Sequence, residues 1–175
     1  MGDAILLTGP PGCGKTTAIR RVLDRLAIEA YGFYTQEMRQ SGKRTGFELI
    51  TLDGRHGILA STSIRGPSRV GRYGVDLAVM ESVGVDVIRS GIAAGGLIVI
   101  DEIGPMELLS AGFREVVVEV LDRDLPMIGT IMRRSTSFSD IIKARSEVRV
   151  IEMSRQTRES VVEEMIASLE AHGIA

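Results

Sequence analysis

Gly9-Pro10-Pro11-Gly12-Cys13-Gly14-Lys15-Thr16 spells G-x-x-x-x-G-K-[ST], and each residue type in it meets a need of a polyanion. A row of phosphates packs several negative charges together and calls for many N–H donors close by. Glycines let successive backbone amides curl inward with no Cβ in the way. A helix opening at Lys15 turns the positive end of its dipole to the same spot. The Lys15 ammonium adds a full charge that reaches the β- and γ-phosphates, and the Thr16 hydroxyl suits Mg²⁺. Cys13 reads as a small residue tolerated in the loop rather than as a redox switch.

Asp101 and Glu102, in LIVIDEIG, end an apolar run with the look of a buried strand. Open α/β sheets bind ligands at that edge. Asp101 there would hold Mg²⁺ through a water, and Glu102 would polarise an attacking water as general base. Adjacent acids suit hydrolysis, whereas a kinase needs a second pocket for its acceptor. Hydrolysis builds negative charge on the transferred phosphoryl group, and an arginine placed there is worth roughly 10³–10⁵ in rate. The candidates are Arg69 and Arg72 in a glycine-rich loop, and Arg133 and Arg134 just past a third buried strand. Thr130, inside that strand, is positioned to sense the γ-phosphate. Arg39, Arg44 and Arg55 read as solvated turn residues. His56 and His172 are isolated from any second ligand at metal spacing. Tyr31, Phe33, Tyr34 and Phe47 read as packing rather than as a shelf for a base, and the methionines as core filler.

These residues need a scaffold, and the hydrophobic pattern supplies one. Short apolar runs at 3–8, 97–101, 126–132 and 148–153 are expected as buried strands. Helical stripes fall at 15–29, about 83–94, 113–123 and from Thr157 to Gly173. Strands alternating with helices imply an α/β fold, a mostly parallel sheet with helices on both faces. Three extended segments over about 32–61, split by SGKR and DGR turns, predict an antiparallel meander added to that theme. RGPSRVGRYG reads as a loop, and SFSDIIKARSE as a short polar helix or lid.

With 175 residues, 44% hydrophobic and 25% charged, the chain is expected to form one domain. A net charge of −2 gives no general reason to expect nucleic acid or an anionic membrane as partner. The single cysteine excludes an intrachain disulfide. With no secretion signal and no apolar run near the ~18–20 residues that cross a bilayer, the expected location is cytoplasmic.

Several segments together resemble the small P-loop nucleoside-triphosphatases known as thermophile, or cancer-related, NTPases. They are TGPPGCGKTT (8–17), GFYTQEMRQSGKRTGFELITLDG (32–54), RVGRYGVD (69–76), VIDEIGPMEL (99–108) and IGTI (128–131). The phosphate loop is common to many families; the meander and DEIGxMEL segments are far more particular. The resemblance implies a RecA-like P-loop core of the additional-strand, catalytic-glutamate division. It implies Mg²⁺-dependent hydrolysis of ATP, GTP and other nucleoside triphosphates. It extends the nucleotide-binding set to Thr8 and Thr17, with Arg158 as a base-stacking candidate. The family often carries lysine where Pro105 stands, and T-x-x-N-R before its last helix where this chain has Ser154-Arg155-Gln156-Thr157-Arg158. Two other readings remain open at this level: a nucleoside or nucleotide kinase, and a nucleotide-switched module binding a protein partner through the meander.

Overall fold

The computed structural model describes residues 4–174. The chain alternates strands and helices: β1 (Ala4–Thr8), α1 (Lys15–Leu26), β2 (Ala30–Gln40), β3 (Lys43–Thr51), β4 (His56–Ser61), β5 (Arg69–Val70) and β6 (Tyr73–Val75). A helix follows in three parts, α2 (Leu77–Val79), a π-helical turn (Met80–Val85) and α3 (Asp86–Ala94). The remainder is β7 (Leu97–Ile103), a 3₁₀ turn (Glu107–Leu109), α4 (Ala111–Asp122), β8 (Met127–Ile131), α5 (Ser137–Lys143), β9 (Val148–Glu152) and α6 (Arg158–Ala171).

The nine strands among the described residues form one sheet in the order β5-β6-β4-β3-β2-β7-β8-β1-β9. The pairs β2–β7, β7–β8, β8–β1 and β1–β9 are parallel, and the pairs on the other side of β2 are antiparallel. Alternate residues of the parallel strands feed two cores. Ile5, Leu7, Leu97, Val99 and Ile128 pack with α1 and α6 on one face. Leu6, Ile98, Ile100 and Met127 pack with α3 and α4 on the other, where Phe33 meets Phe113 at 6.0 Å between ring centres. No helix among the described residues is long and apolar enough to cross a membrane.

The antiparallel meander extends the parallel part of the sheet as expected, and three other expectations need correction. The junction is β2: Ala30–Tyr34 pairs in parallel with β7, while Phe33–Gln40 runs antiparallel to β3. An eleven-residue strand is long enough to serve both neighbours. RGPSRVGRYG, expected as a loop, holds the β5–β6 hairpin, and Val75 pairs with Ala60 in β4. The helix expected at about 83–94 opens at Leu77, where the Asp76 carboxylate accepts from Ala78 and Val79 N–H at 3.0 and 3.2 Å. Its widened π turn breaks the 3.6-residue period that would reveal the start. The run at 148–153 forms an edge strand, only half-buried, because β9 pairs with β1 alone.

Thr157, the residue before α6, makes no side-chain cap bond to that helix; its Oγ1 accepts from the Ser154 N–H at 2.9 Å and closes the preceding turn. SFSDIIK is a packed helix, with a Thr136–Ser139 capping box and Ile142 wholly buried.

Candidate nucleotide-hydrolysis site

The phosphate loop connects β1 to α1, as its composition requires. Gly14, with φ 98°, is the residue before the helix, and an added Cβ there would sit 2.9 Å from the Arg158 side chain. Gly9, with φ 152°, lies so close to β9's end that a Cβ would meet the Met153 carbonyl at 2.3 Å. Both positions admit only glycine. Lys15 Nζ donates to the carbonyls of Gly9 at 3.0 Å and Pro10 at 3.1 Å, arched over the loop. The Thr8 hydroxyl is buried with no hydrogen-bond partner among the described residues.

Across from the loop, β7 delivers the acids. Thr16 Oγ1 donates to Asp101 Oδ2 at 2.5 Å, and Thr130 Oγ1 donates to Oδ1 at 2.6 Å. Both carboxylate oxygens are thus held by hydroxyls, and Asp101 is buried. Thr130 is fully buried and spends its hydroxyl on Asp101, so it orients this carboxylate and lines neither cavity described below. The expectation of a γ-phosphate sensor gives way to a positioning role.

Strand geometry would send Asp101 and Glu102 to opposite faces of the sheet. They share a cavity because the β7–β8 register breaks: Ile100 pairs with Gly129, and Ile103 with Ile131. Two residues of β7 face one of β8, a bulge that re-aims the pair. Glu102 folds over Gly104, where a Cβ would come within 2.4 Å of its Oε1. Burial and the neighbouring Asp101 charge push its carboxyl above the ordinary range, while Lys15 pulls it back.

A cavity of about 430 Å³ joins Gly12, Gly14, Lys15, Thr16 and Thr17 to Asp101 and Glu102, with Thr35, Glu37 and Phe47 as its far wall. A second, of about 410 Å³, lies on the other side of Lys15 and Glu102, with Gly9, Pro11, Arg44, Phe47, Pro105, Arg133 and Arg134 in its walls. A larger cleft of about 560 Å³ between α1, β2 and α3 contains neither the lysine nor the acid pair. Among the described residues no three His, Cys, Asp or Glu side chains cluster as a closed metal cage. One hydroxyl and one carboxylate are what Mg²⁺ takes from a protein when phosphates and water complete its shell, so the donor set fits that ion.

The chain matches the family model described as NTPase over residues 4–166. It belongs to this NTPase family. It is 47% identical over 165 residues to the nucleoside-triphosphatase THEP1 of Thermotoga sp. (strain RQ2), covering 94% of each chain. The crystal structure of THEP1 from the hyperthermophile Aquifex aeolicus superposes with a TM-score of 0.86 at 31% identity, covering 96% of this chain and 99% of that one. The solution structure of a human cancer-related nucleoside triphosphatase gives 0.82 at 32% identity, covering 98% of both. The P-loop fold expected from the sequence is the fold these NTPases share.

Within this NTPase framework the four arginine candidates separate. Arg133 and Arg134 border the second cavity, and Arg133 Nη2 also reaches Glu152 at 3.4 Å. Arg69 and Arg72 line neither cavity. Arg69 donates to the Arg72 carbonyl at 2.9 Å, and Arg72 to the Arg44 carbonyl at 2.6 Å. Arg158 lies against Gly14 and pairs with Glu159 at 3.7 Å. His56 meets Glu48 and His172 the Ser168 carbonyl. The sequence reading missed Arg44, assigned to a solvated turn, and Phe47, assigned to packing; Phe47 lines both cavities and Arg44 the second. It also missed Glu107, wholly buried five residues after Glu102, whose carboxyl burial and the Glu102 charge push up to about 8. The only signal for Arg44 was its place in the G-K-R-T-G-F motif.

Proposed function

We propose that this NTPase-family chain hydrolyses the terminal phosphate of ATP, GTP and other nucleoside triphosphates with Mg²⁺. The observation that carries the reading is the convergence of Lys15, Thr16, Asp101 and Glu102 on one cavity beside the phosphate loop. The backbone N–H groups of Gly12 to Thr16 and the Lys15 ammonium bind the β- and γ-phosphates. Thr16 would hold Mg²⁺ directly and Asp101 through a water, the ion supplying positive charge to the phosphate oxygens. Thr8 and Thr17 flank the loop, and Arg158, lying against it, serves as a base contact.

Glu102 holds the attacking water and takes its proton. The water oxygen bonds to the γ-phosphorus, and the bond to the β–γ bridging oxygen breaks with its electron pair passing to the diphosphate. The raised carboxyl of Glu102 is a better proton acceptor than an ordinary one. Packing of α5 as a capped helix favours hydrolysis over transfer under a mobile lid. The test is steady-state phosphate release from ATP, GTP, CTP and UTP, with and without Mg²⁺ and with no added acceptor. The parent should release phosphate from all four only with Mg²⁺, and Lys15→Ala should lose both binding and release. Release that waits for an added acceptor would instead establish a kinase.

A further inference from the structure

One motif of the sequence is left without work by this scheme: GKRTGF, on the β2–β3 hairpin. Its arginine lines the second cavity, with Phe47. Arg44 and Phe47 are three residues apart on β3, which in a regular strand would put them on opposite faces. The hairpin register breaks between Met38, opposite Gly46, and Arg39, opposite Arg44, so that Thr45 is an extra residue. This bulge turns Arg44 to the side of Phe47, its guanidinium 5.3 Å from the ring centre. Both then line the cavity that holds Gly9, Lys15 and Glu102.

The guanidinium is also held in place. Its Nε donates to the Tyr73 hydroxyl at 3.1 Å and its Nη1 to Glu37 at 2.7 Å. Arg72 grips the same Tyr73 hydroxyl at 3.1 Å and the Arg44 carbonyl at 2.6 Å, locking β6 beneath the hairpin. Two of five N–H donors are engaged in fixing the fork, which leaves donors to give to an anion. A donor set fixed before reaction loses no reorganisation energy as charge develops. Both Arg44 and Arg133 have exposed side chains, but among the described residues the Arg133 guanidinium has a single contact, to Glu152 at 3.4 Å, where Arg44 has two shorter ones.

We infer that Arg44 is a catalytic residue of the hydrolysis proposed above, an arginine supplied by the chain itself that bonds the γ-phosphoryl oxygens as charge gathers on them, with Tyr73 and Glu37 positioning it. The inference rests on that reading of the site. As water adds to the γ-phosphorus and gives its proton to Glu102, the bridging oxygen leaves with the bond's electron pair. Arg44 neutralises the equatorial oxygens, remains protonated throughout, and exchanges no atom.

The experiment compares the parent, Arg44→Ala and Arg44→Lys in phosphate release at saturating ATP and Mg²⁺, with melting curves to confirm folding. Arg44→Ala should lose about 10²-fold or more in kcat, within the range for such arginines, with KM for ATP within a few-fold of the parent's. Arg44→Lys, which keeps charge but not the fork, should recover only part of the loss. Added guanidinium ion should raise the rate of Arg44→Ala and leave the parent's unchanged. ADP with Mg²⁺ and aluminium fluoride should bind the parent more tightly than ADP alone, and Arg44→Ala should lose that gain. A folded Arg44→Ala within threefold of the parental rate overturns the role, as does a loss seen wholly in KM. If Arg44→Ala does not fold, the lysine variant decides by the same kcat and aluminium-fluoride readings. A parent that hydrolyses and fails on Glu102→Gln, beside an active Arg44→Ala, sinks this inference alone. A parent releasing no phosphate sinks both readings.

Discussion

The two walls of the cavity are built on different principles. The loop wall is local: Gly9 to Thr16 are consecutive, their donors are backbone amides, and a strand-to-helix turn shapes them. The meander wall is assembled from afar. Arg44 is fixed by Glu37, seven residues back, and by Tyr73, twenty-nine residues ahead. In the proposed hydrolysis the loop would bind with little dependence on side chains, whereas the meander offers side chains whose aim depends on strand pairing. The acid pair on β7 lies between these cases, since Thr16 and Thr130 clamp Asp101 from both sides. The difference suggests that damage to the loop wall harms nucleotide affinity, and damage to the opposite side harms the rate with affinity spared.

The sharpest break of that comparison is at Glu102. Glu102→Gln should lower phosphate release by about 10²–10⁴-fold while calorimetry with ADP or ATP finds affinity near the parent's; parental turnover would remove Glu102 as the base. Thr130→Val comes next. It strips the hydroxyl from a buried carboxylate oxygen, so folding stability should fall by about 1–3 kcal/mol and the Mg²⁺ concentration for half-maximal rate should rise. Denaturant melts and a Mg²⁺ titration read the two effects.

On the meander side, Tyr73→Phe deletes only the hydroxyl shared by Arg44 and Arg72. Its expected effect is a several-fold drop in kcat with KM unchanged, smaller than removing Arg44 itself. An equal loss for the two variants would mean that the hairpin, rather than the guanidinium, matters.

Glu107 sharpens the comparison from beneath β7. Its carboxyl is raised from 4.5 to about 8 by burial and by the charge of Glu102. The folded protein therefore holds this proton where the unfolded chain has released it, so the contribution to stability is whole below the unfolded value and is lost as pH climbs to about 8. Glu107→Gln keeps the neutral shape at every pH. Its melting temperature should pull ahead of the parent's between about pH 5 and pH 8, and parallel curves would show that Glu107 is not the buried acid described here.

How much of this was legible in the residues follows the same division. The phosphate loop could be read residue by residue, because G-x-x-x-x-G-K-[ST] encodes backbone conformation locally. The buried runs of β1, β7 and β8 were legible because strands buried on both faces leave continuous apolar segments. The start of the α2–α3 helix was hidden by a π turn, and the β5–β6 hairpin by its Gly, Arg and Pro composition. Arg69 and Arg72 read as candidates and Arg44 as a solvated turn residue, since nothing local says which arginine turns inward.

The sequence by itself determined a G-x-x-x-x-G-K-[ST] loop between a buried strand and a helix, with Lys15 opening that helix, and two acids ending a buried strand. Each of these rests on neighbouring residues and their backbone angles. Only the tertiary structure decided that Asp101 and Glu102 share one cavity, and that Arg44 joins Phe47 and Glu102 in the adjoining one. The side-chain period of a strand is two, so odd separations face apart unless a bulge intervenes. A bulge is a property of pairing between strands, fixed here by the registers of β7 on β8 and of β2 on β3.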